Sequence, residues 1–296
     1  WGDSNAGGDS SNVSGSINSG VKTIYSNKYA FAALKEDGSV VTWGDGGYGG
    51  DSSGVANSLI SEVKTIYSTE RAFVVLKEDG SVVTWGYSTN PSITGVVKIY
   101  SNRSAFAALK EDGSVVTWGH SIFGTFRNAG SDSSSVAIQL TSGIKEIYST
   151  AYAFAALKED GSVVTWGDNY FGGVSPSNVS SGVKAIYSNG GAFVALLFDG
   201  SMQLWGHQEF GSYNPSGMFL ENNTFFPNPY TNMDDVINVY STRSAFAALK
   251  NDGSVFTWGN SSYGGDSSSV SSILSREVKA VYSNGGTFAA FTTINA

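Results

Sequence analysis

Ala30-Phe31-Ala32-Ala33-Leu34-Lys35-Glu36-Asp37-Gly38-Ser39-Val40-Val41-Thr42-Trp43-Gly44 is the stretch whose reading decides the fold. Two apolar runs, Ala30 to Lys35 and Ser39 to Trp43, flank Asp37-Gly38. Asp-Gly between such runs is a strong hairpin signal, and a type I′ turn is expected because glycine accepts positive φ. The pattern returns at Ala105 to Gly119, Ala153 to Gly167 and Ala245 to Gly259, with looser copies ending at Trp85 and Trp205. A Tyr-Ser pair precedes each copy, at Tyr25, Tyr67, Tyr100, Tyr148, Tyr187, Tyr240 and Tyr282. Phe follows at one constant offset (Phe31, Phe73, Phe106, Phe154, Phe193, Phe246, Phe288). Trp follows at another (Trp43, Trp85, Trp118, Trp166, Trp205, Trp258). Constant offsets inside a unit and variable spacing between units describe a rigid β motif joined by free loops.

Each unit reads as strand, strand, tight turn, strand. Val21 to Ser26 is the first strand of the first unit, a short β-branched and aromatic run. Alanines such as Ala32 and Ala33 fit where strands crowd, and Trp43 fits where space opens, as in a blade running from a narrow axis to a wide rim. The expectation is an all-β, seven-bladed β-propeller, an architecture that leaves only short protected edges. The seventh unit begins at Val278 to Ser283 and Thr287 to Ala290, then loses the pattern. Trp1-Gly2 supplies the pair it lacks, so the last blade is expected to be closed by both termini, with Trp1 in the seventh Trp position. The chain begins without Met, which reads as a processed, cut or incompletely read start. Residues 1–296 are read as a single domain, since each repeat buries its face only against neighbours.

Composition narrows the function classes. A net charge of −8 and a pI near 4.7 oppose nucleic-acid binding, whose affinity rests on neutralising phosphates. No apolar run approaches the length of a membrane helix, so no membrane insertion is expected. The absence of cysteine removes disulfides, thiolate metal sites and cysteine nucleophiles together. Sequons at Asn12, Asn102, Asn178, Asn222 and Asn260 would permit glycosylation on a secretory route. An extracellular or cell-surface location is the expectation, with the cytoplasm as the alternative.

The Leu-Lys-x-Asp-Gly-x-Val-x-x-Trp-Gly core resembles the repeat of the regulator of chromosome condensation family, seven-bladed propellers, over essentially the whole chain. Ser181-Gly182-Val183-Lys184-Ala185-Ile186 and Trp166-Gly167-Asp168-Asn169-Tyr170-Phe171-Gly172 are most similar to the propeller-type β-lactamase inhibitor family. That resemblance implies a last blade split between the termini. The basic tail of chromatin-binding members is absent, as is the Gly-Trp-Arg-His-Thr motif of the plant photoreceptor members. The family's Gly-Gln-Leu-Gly loop is replaced by Gly-Gly-Asp-Ser-Ser at Gly49 to Ser53 and Gly264 to Ser268. Those family functions are therefore not carried over, since one fold hosts unrelated roles.

Catalytic chemistry is poorly supplied, and no catalytic residue, cofactor or metal is assigned. His120 and His207 each follow a Trp-Gly and join Asp3, Asp45, Tyr87, Asp168 and Asn260 as equivalent positions expected on one face. A metal there would need fixed companion ligands, so a variable solvent-exposed loop position is the favoured reading. Asp9, Asp51 and Asp266 offer one carboxylate per loop, too few for calcium, and read as turn caps. The paired acids Glu36-Asp37, Glu78-Asp79, Glu111-Asp112 and Glu159-Asp160 read as solvated hairpin tips.

The fifth blade is irregular. Leu197, Phe198 and Leu204 stand where other copies carry Lys, Glu and Thr. The longest insertion follows, about His207 to Asp235, with Phe210, Tyr213, Met218, Phe219, Phe225, Phe226 and Tyr230. One reading is a loop that packs down on the apolar positions of the fifth blade; the functional reading is that part of the aromatic set stays exposed, as interaction sites do. The reading is a non-enzymatic binding scaffold for a protein partner. Its partner-binding residues would be Phe210, Tyr213, Phe219, Phe225, Phe226, Tyr230, His207, His120 and Tyr87. A structural or adhesive module of a larger surface assembly, formed through self-assembly, is the alternative. A lectin-like carbohydrate binder is the third reading, resting on the loop tyrosines Tyr48, Tyr170 and Tyr263.

Overall fold

The computed structural model describes residues 2–120, 128–212 and 234–292. Trp1 and the insertion residues Tyr213, Phe219, Phe225, Phe226 and Tyr230 lie outside them. The described strands form six three-stranded antiparallel sheets and one two-stranded sheet, an all-β arrangement of the kind β-propeller blades show. The first sheet is β1 (Val21–Ser26), β2 (Ala30–Lys35) and β3 (Val40–Gly44). The second is β4 (Val63–Ser68), β5 (Ala72–Lys77) and β6 (Val82–Gly86), and the third β7 (Val96–Ser101), β8 (Ala105–Lys110) and β9 (Val115–Gly119). The fourth holds β10 (Ile144–Ser149), β11 (Ala153–Lys158) and β12 (Val163–Gly167), and the fifth β13 (Val183–Ser188), β14 (Ala192–Leu197) and β15 (Met202–Gly206). The sixth is β16 (Val236–Ser241), β17 (Ala245–Lys250) and β18 (Val255–Gly259), and the last pair is β19 (Val278–Ser283) and β20 (Phe288–Thr292). Two compact units, Trp1–Ile147 and Tyr148–Ala296, divide the chain within β10.

The unbroken apolar run of each middle strand follows from burial on both faces. In the first unit, Ala30, Ala32 and Leu34 of sheet one pack on Val63, Ile66, Phe73, Val75 and Trp85 of sheet two. Ala72, Val74 and Leu76 then pack on Val96, Ile99, Phe106, Ala108 and Trp118 of sheet three. In the second unit, Ala192, Val194 and Leu196 of sheet five pack on Val236, Val239, Phe246, Ala248 and Trp258 of sheet six. Alternate residues of one strand thus serve two interfaces. Small alanines on one face admit the Phe and Trp of the next sheet.

The hairpin expectation holds in position and needs correction in turn type. The Lys35 carbonyl accepts the Gly38 N–H at 3.0 Å, and the Lys35 N–H donates to the Ser39 carbonyl at 2.9 Å. A type I′ turn requires two consecutive positive φ values, but here only Gly38, at 77°, has one. The turn is the three-residue form, a type I turn closed by a left-handed glycine. Asp37 serves as an acceptor instead, taking the Ser39 N–H at 2.9 Å and hydroxyl at 2.6 Å. Those bonds, the hydroxyl's foremost, hold the carboxyl below its usual range.

Hairpin tips also stitch sheets together. The carbonyls of Gly38 and Gly80 accept the N–H of Val63 and Val96, which open the following sheets. The residue just before each first strand is left-handed. Gly20, Gly95, Gly143 and Gly182 adopt φ of 64°, 70°, 72° and 74°, whereas Glu62, Asp235 and Glu277 adopt 63° with a Cβ. An L-residue carries a cost of about 1–2 kcal/mol in that region. Glu277→Gly is therefore expected to stabilise the protein by about 1 kcal/mol, partly offset by glycine's unfolded-state entropy. A rise in the urea midpoint with an unchanged slope checks this.

Candidate functional site

The residues after Trp-Gly are not free loop positions. Asp3, Asp45, Asp168, His207 and Asn260 each cap a single 3-10 turn, accepting the N–H two residues ahead. Each turn ends in a left-handed glycine: Gly7, Gly49, Gly172, Gly211 and Gly264. Four of those glycine carbonyls accept the indole N–H of the following sheet's Trp. Trp43 reaches Gly7 at 3.1 Å, Trp85 Gly49 at 2.9 Å, Trp205 Gly172 at 3.1 Å and Trp258 Gly211 at 3.0 Å.

The residue just before that glycine is held by its own sheet. Asn27 donates to the Tyr48 carbonyl at 2.7 Å, Asn189 to Phe210 at 2.7 Å, and Thr150 to Phe171 at 2.9 Å. Each loop is thereby a bracket from one sheet to the next, and its side chains stand on a fixed base. These five residues are caps that pair the N–H groups at the start of a turn; Asp3 is exposed, Asp45, Asp168 and Asn260 are half-buried, and His207 is buried. The second bracket is replaced. Blade two has the short loop, and Trp118 donates instead to the Thr84 hydroxyl at 3.1 Å, while Asn90 accepts the Thr84 N–H.

In the second unit the brackets of sheets four and five bring aromatics together. The His207 ring lies 4.0 Å from Tyr170, 5.4 Å from Phe210 and 6.0 Å from Phe171, centroid to centroid. Phe210 and Phe171 are 6.3 Å apart, and Tyr152 backs Phe171 at 4.9 Å. Phe171 and His207 are buried, Phe210 is half-buried, and Tyr170 is 62% exposed. Among the described residues of this cluster, Tyr170 is the exposed phenol, set against buried Phe171 and His207 and half-buried Phe210, the last two at the start of the insertion.

His207 does a carboxylate's job at its position. Its Nδ1 accepts the Glu209 N–H at 3.1 Å, which requires the neutral ring with its proton on Nε2. Burial lowers its pKa below the ordinary value, against the weaker opposing pull of Glu209. A depressed histidine makes stability full above its unfolded pKa of about 6.5 and progressively lost as pH falls from there toward the folded pKa. His207→Asn, which keeps an acceptor without the titration, is expected to flatten the stability–pH curve in that window. Urea titrations of both proteins at pH 7 and at mildly acidic pH check it.

Three of the nine expected partner-binding residues besides Phe210 are placed. His207 joins Phe210 in the second unit; Tyr87 and His120 pair in the first, their rings 3.9 Å apart. The other five lie outside the described residues. Tyr170 is the residue sequence reasoning passed over as a protein anchor, although its recurrence with Tyr48 and Tyr263 was the available signal. Tyr48 is unlike it, covered by Tyr29 at 4.5 Å and by the Arg71 guanidinium at 5.5 Å. Phe198 is 75% exposed at a hairpin tip.

Asp9, Asp51 and Asp266 accept the N–H groups of Ser11, Ser53 and Ser268 as turn caps. No group of three metal-ligating side chains occurs among the described residues. The Asn102 sequon is corrected as a glycosylation site. Its amide is buried, donating to the Ala129 carbonyl at 2.6 Å and accepting from Ser104 and Ala105. No helix among the described residues is long and apolar enough to cross a membrane.

No family model matches the chain, and no curated protein does. Among solved structures it is similar to yeast RCC1 (Prp20) bound to Kap60, at 17% identity over 93% of this chain and 81% of that one, with a TM-score of 0.46. It is similar to the receptor kinase CR4 ectodomain of Physcomitrella patens, at 13% identity over 91% and 69%, TM-score 0.45. Prp20p of Saccharomyces cerevisiae, described with its binding to Gsp1p and histones, gives 16% over 92% and 83%, TM-score 0.43. Two of these three are RCC1 structures, the family whose repeat the Asp-Gly hairpins resemble.

Proposed function

We propose that this protein is a non-enzymatic binding scaffold that takes a protein partner on the loops after the third strands. The observation that carries this reading is Tyr170, exposed beside buried Phe171 and His207 and half-buried Phe210. Aromatic anchors held rigid before binding lose little entropy on association, which is why Tyr is enriched at interface centres. The insertion that continues from Phe210 would widen the contact. On the same reading the seven sheets are blades of one seven-bladed propeller, with Trp1 in the last Trp position.

The test is capture of a partner by the intact protein, repeated with Tyr170→Ala and with residues 207–235 replaced by a short blade loop. A partner held by the intact protein and lost by both variants supports the reading. A partner held equally by all three moves the contact elsewhere.

A structural role through self-association is the second reading, and exposed sheet faces favour it. Ile24 is 53% exposed where its equivalent Ile66 is 2%, and Phe291 is 58% exposed where its equivalent Leu34 is 2%. Concentration-dependent mass in solution, unaffected by Tyr170→Ala, would select it.

A further inference from the structure

Among the described capped turns, four begin with an oxygen acceptor and one with a ring nitrogen. Asp3, Asp45, Asp168 and Asn260 take the N–H two residues ahead at 2.8–2.9 Å. His207 takes the Glu209 N–H at 3.1 Å on Nδ1, the atom that protonation fills. An imidazolium has two donors and no acceptor, so the proton and the cap exclude each other.

The surroundings offer a protonated ring little support among the described residues. The bracket of sheet four places the rings of Tyr170 and Phe171 beside it, and its own bracket adds Phe210. Asp168 is engaged with the Tyr170 N–H. The turn of sheet five, Asn189 to Gly191, meets His207 through the Gly191 carbonyl, which accepts its N–H at 2.9 Å. Arg243 of the next turn reaches Gly190 with its main-chain carbonyl and is itself exposed. Glu209 carries the charge that favours the imidazolium, and burial outweighs it.

The rest of the bracket does not depend on this cap. Phe210 is seated against Gly190 and Gly191, where a Cβ would come within 2.9 and 2.6 Å of its ring. Asn189 holds the Phe210 carbonyl, and the Trp258 indole holds that of Gly211. Loss of the cap therefore frees the His207 ring and the Tyr170 ring set 4.0 Å from it, and leaves the backbone of the turn in place.

We propose that His207 is a proton-operated latch on Tyr170: the neutral ring, held by the Glu209 N–H, fixes the phenol, and the protonated ring swings out to water and releases it. Resting on the binding role proposed for Tyr170, this makes partner capture strongest at neutral pH and weaker in acid. A released, hydrated ring has the ordinary pKa of about 6.5, so at about pH 5.5 the released state gains up to about tenfold over the docked one. The Asn260 turn, whose cap does not titrate, is the internal reference.

Nuclear magnetic resonance of the intact protein, from about pH 7.5 to about pH 5, tests the latch without a partner. A His207 midpoint below about 6.5 is expected. Ring-to-ring Overhauser contacts between His207 and Tyr170 should vanish through that midpoint, and the Glu209 amide should move while that of Ser262 stays. In His207→Asn the Glu209 amide and the Tyr170 ring signals should hold still over the same range. Contacts from His207 to Tyr170 that persist once the ring is protonated would overturn the proposal. So would a His207→Asn variant that responds like the parent, or a Trp emission change at the same midpoint, which would mean global unfolding. A partner captured in the test above should be held up to about tenfold less well at about pH 5.5 by the parent protein, and changed less than about twofold by pH with His207→Asn. Equal capture by the parent at both pH values overturns the latch's hold on binding and leaves the scaffold reading intact. No capture at either pH removes that reading, and the resonance data then decide the latch alone.

Discussion

Truncation of Phe193 to alanine is expected to cost about 3–5 kcal/mol of stability, the largest effect of any single change considered. Phe193 is fully buried, stacked on Trp205 at 5.3 Å, with the backbone of Gly172 against its edge. Removing the ring deletes the transfer energy of a whole aromatic side chain and leaves a cavity. The rigid bracket is held by Thr150 and the Trp205 indole and closes that space poorly. Phe288→Ala should cost clearly less, because its ring is only half-buried and lacks a Trp partner among the described residues. Urea unfolding of both variants, followed by Trp fluorescence, checks the ranking. Equal losses would mean that stacking and burial in the brackets do not set stability.

Gly49→Ala is expected to destabilise by about 2–5 kcal/mol, from two separable causes. Its φ of 103° is one that L-residues avoid, at about 1–2 kcal/mol. The new Cβ would also lie 2.7 Å from the Phe73 ring, and overpacking of this kind costs about 1–3 kcal/mol. Phe73 is fully buried and cannot swing aside, so the bracket must lift. Lifting it lengthens the bond from Trp85 to the Gly49 carbonyl, which the Trp85 emission should register. Gly54→Ala is the control, since a Cβ there meets nothing within 4 Å and no positive φ is involved. It should change stability by no more than about 0.5 kcal/mol.

Strand positions were legible in the residues because they depend on local signals. Val21–Ser26, Ala30–Lys35 and Val278–Ser283 fall where the β-branched runs and the Asp-Gly pairs place them. The turn type was not legible, because Asp-Gly suits both a type I′ turn and a type I turn closed by glycine. The choice lies in where Ser39 pairs and in the Asp37–Ser39 side-chain bond. The roles of Asp45, Asp168 and His207 were likewise hidden. Residues so different share a capping position only once the backbone turns under them, and periodicity carries no record of that.

The sequence by itself determined the repeat, the hairpins, the all-β class and the irregularity of the fifth blade, since each is written in constant short-range offsets. Tertiary structure alone decided which alanine face meets which Phe–Trp face. It also decided that His207 is a neutral cap beneath Tyr170. The physical reason is range. Propensity and turn chemistry act over a few residues, whereas Trp205 finds the Gly172 carbonyl across 33 positions, and only a folded chain brings such partners into hydrogen-bond reach.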